Sequence, residues 1–186
     1  MQVKVGVSNR HIHINKKDYI YLFGDVPFTK RNDLGQPGEF ASDFTVKLIG
    51  PKGEIDNVRV VGPQRSYTQV EVSKTDCYKL GIDAPVRNSG DLSNASVITI
   101  EYNNKSITKA CCIIPTRHIH ISSLDRKKYN LTKDYYKIKV EGEKASILDK
   151  VYIKEGENYN FELHLDTDDA NSNLIKTGDF LEIIDD

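Results

Sequence analysis

The five histidines of this 186-residue chain are not scattered. Four of them sit in two copies of one pentapeptide, Arg-His-Ile-His-Ile, at residues 10–14 and again at residues 117–121. Chance placement would give about 0.1 His-x-His pair in a chain of this composition. On a β-strand, residues i and i+2 face the same side about 7 Å apart at Cα. His11 with His13, and His118 with His120, can therefore each close on one metal ion at about 2.0–2.1 Å per nitrogen. Ile12 and Ile119 then face the other way, into a core. A merely polar strand face would not require the same residue type to recur.

A catalytic zinc usually takes three protein ligands and leaves one position open. A second correspondence supplies the third. Val70-Glu71-Val72-Ser73 and Leu163-His164-Leu165-Asp166 each lead into a short helical segment. Glu71 thus completes His11 and His13 as a His₂Glu set, and His164 completes His118 and His120 as a three-histidine set. Two open-site cations imply a substrate that they both polarise and anchor. Several candidate anion binders lie near these residues. Arg65 follows Gly62-Pro63-Gln64, Arg59 lies on the preceding strand, and Gln69 shares a strand face with Glu71. Arg10 and Arg117 directly precede the histidine pairs. The fixed fork of a guanidinium suits phosphate beside a cation. No Walker loop and no G-x-G-x-x-G occurs, so a nucleotide hydrolase or a Rossmann domain has no support.

The elements that must hold these groups are mostly strands. Residues 44–50, 58–61, 68–72, 97–101, 136–140, 150–153, 160–165 and 180–184 are rich in β-branched residues. Turns such as Gly50-Pro51-Lys52-Gly53 separate them. Short strands at this spacing suggest small barrels or sandwiches. Short helices interrupt the pattern. Asn15 can cap residues 16–23 with Gly24 as the stop, and Ser122 can cap a matching segment. Residues 75–80 end at Gly81, and residues 167–175 end near Gly178. Residues 24–42 carry Pro27, Pro37 and three glycines, and read as an irregular insertion or a small hairpin. The expectation is a mainly β chain of two small β-barrel domains capped by short α-helices and related by an internal repeat.

Composition narrows the functional classes. The chain is 38% hydrophobic and 28% charged, ordinary for a soluble globular protein. A formal net charge of −1 gives no bulk field to steer the chain to nucleic acid or a membrane surface. No apolar run approaches bilayer length. The opening Met1-Gln2-Val3-Lys4-Val5-Gly6 lacks the apolar core of a secretory signal and enters a strand-like segment at once. Cys77, Cys111 and Cys112 are odd in number and form no C-x-x-C. They argue against a disulfide framework and for a reducing, cytoplasmic setting. Adjacent cysteines on a strand point to opposite faces, so Cys111-Cys112 is a poor chelate and reads as structural.

Longer stretches resemble a known family, the PduL-type phosphotransacylases or phosphate propanoyltransferases. The stretches are Val5-Gly-Val-Ser-Asn-Arg-His-Ile-His-Ile14, Leu34-Gly-Gln-Pro-Gly38, Val60-Val-Gly-Pro63, Thr68-Gln-Val-Glu-Val-Ser73, Ala84-Pro-Val-Arg-Asn-Ser-Gly-Asp91, Arg117-His-Ile-His-Ile-Ser122 and Leu163-His-Leu-Asp-Thr-Asp168. They run through almost the whole chain. The resemblance implies two β-barrel domains, over residues 10–115 and over residues 1–9 plus 116–186, with the first short strand exchanged into the C-terminal barrel. It implies two zinc ions held by His11, His13, Glu71, His118, His120 and His164. It places phosphate on Arg65, Gln69, Gln36 and Ser89, with Arg65 and Gln69 acting in catalysis. Coenzyme A falls on Arg59, Tyr78, His164 and Asn171. Many members have an arginine ten residues before the final histidine, where this chain has Lys154, a point charge in place of a bidentate fork.

The function implied is zinc-dependent transfer of a short acyl group, propanoyl or acetyl, between coenzyme A and phosphate. A homodimer is suggested by the resemblance alone. Members housed in bacterial microcompartments carry an N-terminal amphipathic extension. Only Met1-Gln2-Val3-Lys4 precedes the motif here, so a free cytoplasmic enzyme is the expectation. A zinc-dependent thioester or phosphoester hydrolase is the alternative, and it would release coenzyme A without phosphate. A zinc-binding scaffold would need closed ligand sets instead.

Overall fold

Alternation of β-branched residues with Lys, Glu and Thr dictates short, half-buried strands. The computed structural model describes residues 1–184. In chain order its elements are β1 (Gln2–Ser8), β2 (His11–Asn15), α1 (Lys16–Phe23), β3 (Lys30–Asp33), β4 (Phe40–Ile49), β5 (Glu54–Arg65), β6 (Gln69–Glu71), α2 (Lys74–Leu80) and β7 (Val86–Arg87). They continue as β8 (Ser96–Tyr102), β9 (Lys105–Pro115), β10 (His118–Ile121), α3 (Ser123–Lys128), β11 (Tyr135–Val140), β12 (Ser146–Glu155), β13 (Glu162–Asp166), α4 (Thr167–Ser172) and β14 (Phe180–Ile184). Among the described residues the protein is mainly β, as the strand signals require, with four short helices.

The chain divides into two compact units. Unit 1 comprises Met1–Ser8, Gly35–Pro37 and the chain from Thr116 onward. Its strands close into a six-stranded barrel in the order β1-β13-β10-β12-β11-β14. Val3, Val5, Ile119, Ile121, Ile153 and Leu163 fill its core. Unit 2 comprises Asn9–Leu34 and Gly38–Pro115. Here β4 pairs with β5, β5 with β2, β2 with β6, β6 with β9, β9 with β8, and β8 with β4 again, which closes a second six-stranded ring. Ile12, Ile14, Leu48, Val60, Val70 and Cys112 belong to its core. Closure matters because it leaves no long unpaired edge in either ring. β3 folds back on β4 as a hairpin, while residues 24–29 are irregular, so the segment over residues 24–42 combines the two readings.

The β-branched criterion passed over β3, β7 and β9, of which β9 is the longest. β9 begins with Lys105, Ser106, Thr108 and Lys109 and ends in the buried run Cys111 to Ile114. Neither half alternates cleanly. Both of its cysteines are buried and free, and burial pushes the Cys111 thiol up to about 12. Such a thiol stays protonated at neutral pH and neither attacks nor ligates. Among the described residues no helix is long and apolar enough to cross a membrane.

Each of the four helices starts on a side-chain cap: Asn15, Ser73, Ser122 and Asp166 each accept a hydrogen bond from the backbone N–H three residues on. The first cap is tied to a buried carboxylate. Asp18 accepts from Lys109 Nζ at 2.5 Å, from Thr68 Oγ1 at 2.5 Å and from Asn15 Nδ2 at 3.1 Å. Burial pushes its pKa up, but these hydrogen bonds outweigh burial and hold it below the usual carboxylate range. A depressed folded pKa contributes stability above the unfolded value, which is lost as pH falls through the folded one. Asp18→Asn is therefore expected to lower stability by about 1–3 kcal/mol at pH 7. The deficit should shrink below about pH 4, as the parent itself becomes protonated. Urea melts of both proteins between pH 3 and 7 measure it, and a pH-independent difference would contradict the account.

Candidate functional site

Both histidine pairs lie on strands, as the spacing requires, and both are flanked in the same way. In unit 2, β2 has β5 parallel on one side and β6 antiparallel on the other, with His11 opposite Glu71. In unit 1, β10 has β12 parallel on one side and β13 antiparallel on the other, with His118 opposite His164. Cross-strand partners in register bring their side chains together on one face. The third donor of each set is thereby carried to its pair.

The geometry suits a cation. His11 Nε2 lies 3.2 Å from His13 Nε2, and His118 Nε2 lies 3.0 Å from His120 Nε2. Two nitrogens on one tetrahedral zinc would stand about 3.3–3.4 Å apart. The donor atoms of His11, His13 and Glu71 all lie within 4.8 Å of one another, as do those of His118, His120 and His164. Glu71 Oε2 is 3.5 Å from His11 Nε2, and Oε1 is 3.9 Å from His13 Nε2. His11 Nδ1 lies 2.8 Å from the Asn9 carbonyl, and His118 Nδ1 lies 2.7 Å from the Thr116 carbonyl. A carbonyl can only accept, so both protons sit on Nδ1 and both Nε2 lone pairs point inward. A facing pair of ring nitrogens can share a proton or a cation. The third donor makes each set fit a metal such as zinc.

Glu71 continues into a polar line within unit 2. Gln69 Nε2 donates to Glu71 Oε1 at 2.6 Å and to Ser89 Oγ at 2.9 Å, while Gly90 N–H donates to Gln69 Oε1. Ser89 Oγ in turn accepts from Arg65 Nη1 at 3.0 Å. Arg65 also donates to Tyr67 Oη and, through Nη2, to Glu39 Oε1 at 3.0 Å. Arg65, Ser89, Gln69 and the His11, His13 and Glu71 set are thus one connected group. Glu39 and Tyr67 escaped the sequence reading, since nothing in their local pattern links them to Arg65. Arg59, opposite His11, donates to the Ser42 and Asp43 carbonyls, and Tyr78 stands exposed on α2 beside Lys74.

In unit 1, Lys154 lies opposite His120 in register, and its Nζ is 5.9 Å from the ring of Tyr159, which packs edge-on against His120. Asn171 is exposed on α4. Gln36 also falls in unit 1 and is 1% exposed. It donates to the Asn160 carbonyl and to Glu162 Oε2, and accepts from Asn160 N–H. Glu162, a further residue that sequence reasoning missed, accepts from His164 Nε2 at 2.9 Å. This contact holds the Glu162 carboxyl below its ordinary range despite burial.

Arg10 and Arg117 are each engaged by a carboxylate of their own unit. Arg10 Nε donates to Asp76 Oδ1 at 2.9 Å. Arg117 donates twice to Asp169, at 2.6 and 2.7 Å. Asp76 sits in α2, which follows β6, and Asp169 in α4, which follows β13, so each arginine ties that helix to the strand of its histidine pair. Arg117→Met is expected to cost about 1–2 kcal/mol, the half-exposed position limiting the loss. Thermal denaturation checks this, and an unchanged midpoint would count against the tie.

Comparison with known proteins follows the same line. A family model described as phosphate propanoyltransferase matches residues 4–176. A phosphate propanoyltransferase of Thermotoga maritima is 43% identical over 185 residues, covering 97% of this chain and 88% of that protein. One from Shewanella putrefaciens is 42% identical over 95% of this chain and 85% of its own length. One from Priestia megaterium is 45% identical over 95% and 83% respectively.

Proposed function

Because this chain belongs to the phosphate propanoyltransferase family, an acyl-transferring family, we propose that it interconverts a short-chain acyl-CoA plus phosphate with acyl phosphate plus coenzyme A. Propanoyl and acetyl are the proposed acyl groups. Zinc is proposed at each of two centres, on His11, His13 and Glu71 and on His118, His120 and His164. A zinc bound there would supply Lewis acidity at the thioester carbonyl and lower the proton affinity of the leaving thiol.

The observation that carries this reading is the connected line from Arg65 through Ser89 and Gln69 to Glu71. It sets a guanidinium fork and two neutral donors beside a cation site, which is what a phosphate needs. Phosphate would displace the Glu39 carboxylate from Arg65, with Ser89 Oγ and Gln69 Nε2 aligning its oxygens. A phosphate oxygen then bonds to the carbonyl carbon while the C–S bond breaks and sulfur leaves with the electron pair. No general base is required, since phosphate at neutral pH is already anionic. In unit 1 Lys154 supplies a point charge beside His120 for an anionic oxygen. Arg59 and Tyr78 in unit 2, and His164 and Asn171 in unit 1, are the proposed coenzyme A contacts. The pairing of β1 with β13 supports reading the units as related halves with the first strand exchanged into the C-terminal barrel.

Thiol release from propanoyl-CoA and acetyl-CoA, with and without phosphate and with and without a chelator, tests the proposal. Release that depends on both phosphate and metal is the expected result. Release without phosphate would turn the reading to the hydrolase, and no release with metal and phosphate present would end it.

A further inference from the structure

The two candidate centres differ in a way that the third donor alone hides. In unit 2 the third donor is the carboxylate Glu71, and the residue two positions earlier on the same strand face is neutral Gln69, bonded to it at 2.6 Å. In unit 1 the third donor is the neutral His164, and the residue two positions earlier is the carboxylate Glu162, bonded to it at 2.9 Å. The types have changed places. Each centre keeps one negative charge and one hydrogen-bonded partner behind its third donor.

The surroundings of Glu162 are built to hold it. It is 8% exposed, and the Gln36 amide donates to Oε2 while being clamped to Asn160 at both of its own polar atoms. Two glycines leave room for the carboxylate. A Cβ on Gly35 would stand 2.5 Å from Oε2, and one on Gly6 would stand 3.1 Å from Cδ. The same Gly6 position is 3.3 Å from His164 Cδ2, so the Cδ2–Nε2 edge of the imidazole faces β1. β13 lies between β1 and β10, and the opposite, Nδ1-bearing edge is therefore turned toward His118 and His120.

We propose that Glu162 is the positioning residue of the unit 1 metal centre: its carboxylate takes the Nε2–H of His164, presents Nδ1 to the cation, and supplies the negative charge that Glu71 gives the other centre. This rests on the reading that the three-histidine set holds a metal. His164 then ligates through the nitrogen opposite to the one used by His11 and His118, whose Nδ1 protons are taken by backbone carbonyls. A ligating imidazole held by a carboxylate is a better donor, and loss of such a partner typically costs ten- to a hundredfold in metal affinity.

The test is zinc competition against a chromogenic chelator, in a His11→Ala/His13→Ala background so that only the unit 1 centre is read. The background protein should bind one equivalent. Glu162→Gln should lower its affinity ten- to a hundredfold, and Gly35→Ala should do likewise by driving a methyl group into Oε2. The double variant should lose little more than either alone, because both act through one carboxylate. Cobalt at saturation should show the same visible bands with and without Glu162→Gln. An unchanged zinc affinity in both single variants overturns the proposal. A cobalt spectrum that changes as though an oxygen ligand were lost also overturns it, making Glu162 itself a ligand. A background protein that binds no zinc would instead sink the metal reading on which this one stands.

Discussion

Replacing His13 by alanine is expected to halve the zinc bound per chain and to lower acyl transfer by at least about a thousandfold. The imidazole is 3% exposed, and its Nε2 faces His11 Nε2 at 3.2 Å with Glu71 close by. Without it the unit 2 set keeps one nitrogen and one carboxylate, too few to hold zinc against a dilute chelator. Metal-ion catalysis supplies several kcal/mol of charge stabilisation, and about 4 kcal/mol corresponds to a thousandfold in rate. The fold should survive, since Ile12 and Ile14 on either side remain fully buried in the unit 2 core. Metal analysis of the desalted protein together with the phosphate-dependent thiol assay gives both numbers. A variant that keeps two equivalents of zinc, or one that turns over normally, would remove His13 from the centre.

Arg65→Ala should separate the two effects. Its zinc content stays at the parent level, because no Arg65 atom belongs to either donor set. The expected loss is in kcat/KM for phosphate, by about a hundredfold, the value of a charge-assisted bidentate contact worth about 3 kcal/mol. Arg65→Lys should recover only part of this, since an ammonium is a point charge and not a fork. Glu39→Gln should act in the opposite direction and lower the KM for phosphate, because Glu39 Oε1 now occupies Nη2 at 3.0 Å. Steady-state kinetics at varied phosphate, with acyl-CoA saturating, distinguish these outcomes. Unchanged kinetics in Arg65→Ala would remove the guanidinium from the phosphate site, and unchanged phosphate affinity in Glu39→Gln would show that the carboxylate does not compete.

How much of the site was visible beforehand depended on the range of the interaction. His-x-His is a contact between strand neighbours, so its chemistry is written in the spacing of the residues. Glu71 and His164 could be assigned because they recur before matching helices, although they meet their partners only across strands. Glu39, Tyr67 and Glu162 carry no such mark. Glu39 reaches Arg65 from the turn before β4, and Glu162 acquires its role only because Gln36, Gly35 and Gly6 close around it. Arg10 and Arg117 show the converse case. They stand beside the histidines in sequence, and the carboxylates that engage their guanidiniums, Asp76 and Asp169, lie more than fifty residues away where no local pattern names them. β9 escaped for a related reason: its polar first half and apolar second half make a strand only because β8 and β6 pair with it on either side.

By itself the amino-acid sequence determined the mainly β architecture, the helix starts and the six residues that the fold gathers into two sets able to hold a metal. All of these follow from period-two alternation, local caps and a duplicated motif, which act over a few residues along one backbone. Only the tertiary structure decided which strands close each ring, which carboxylates hold Arg65 and His164, and where the charge of each centre resides. Those outcomes depend on strand register and on groups distant in sequence, whose meeting no local pattern encodes.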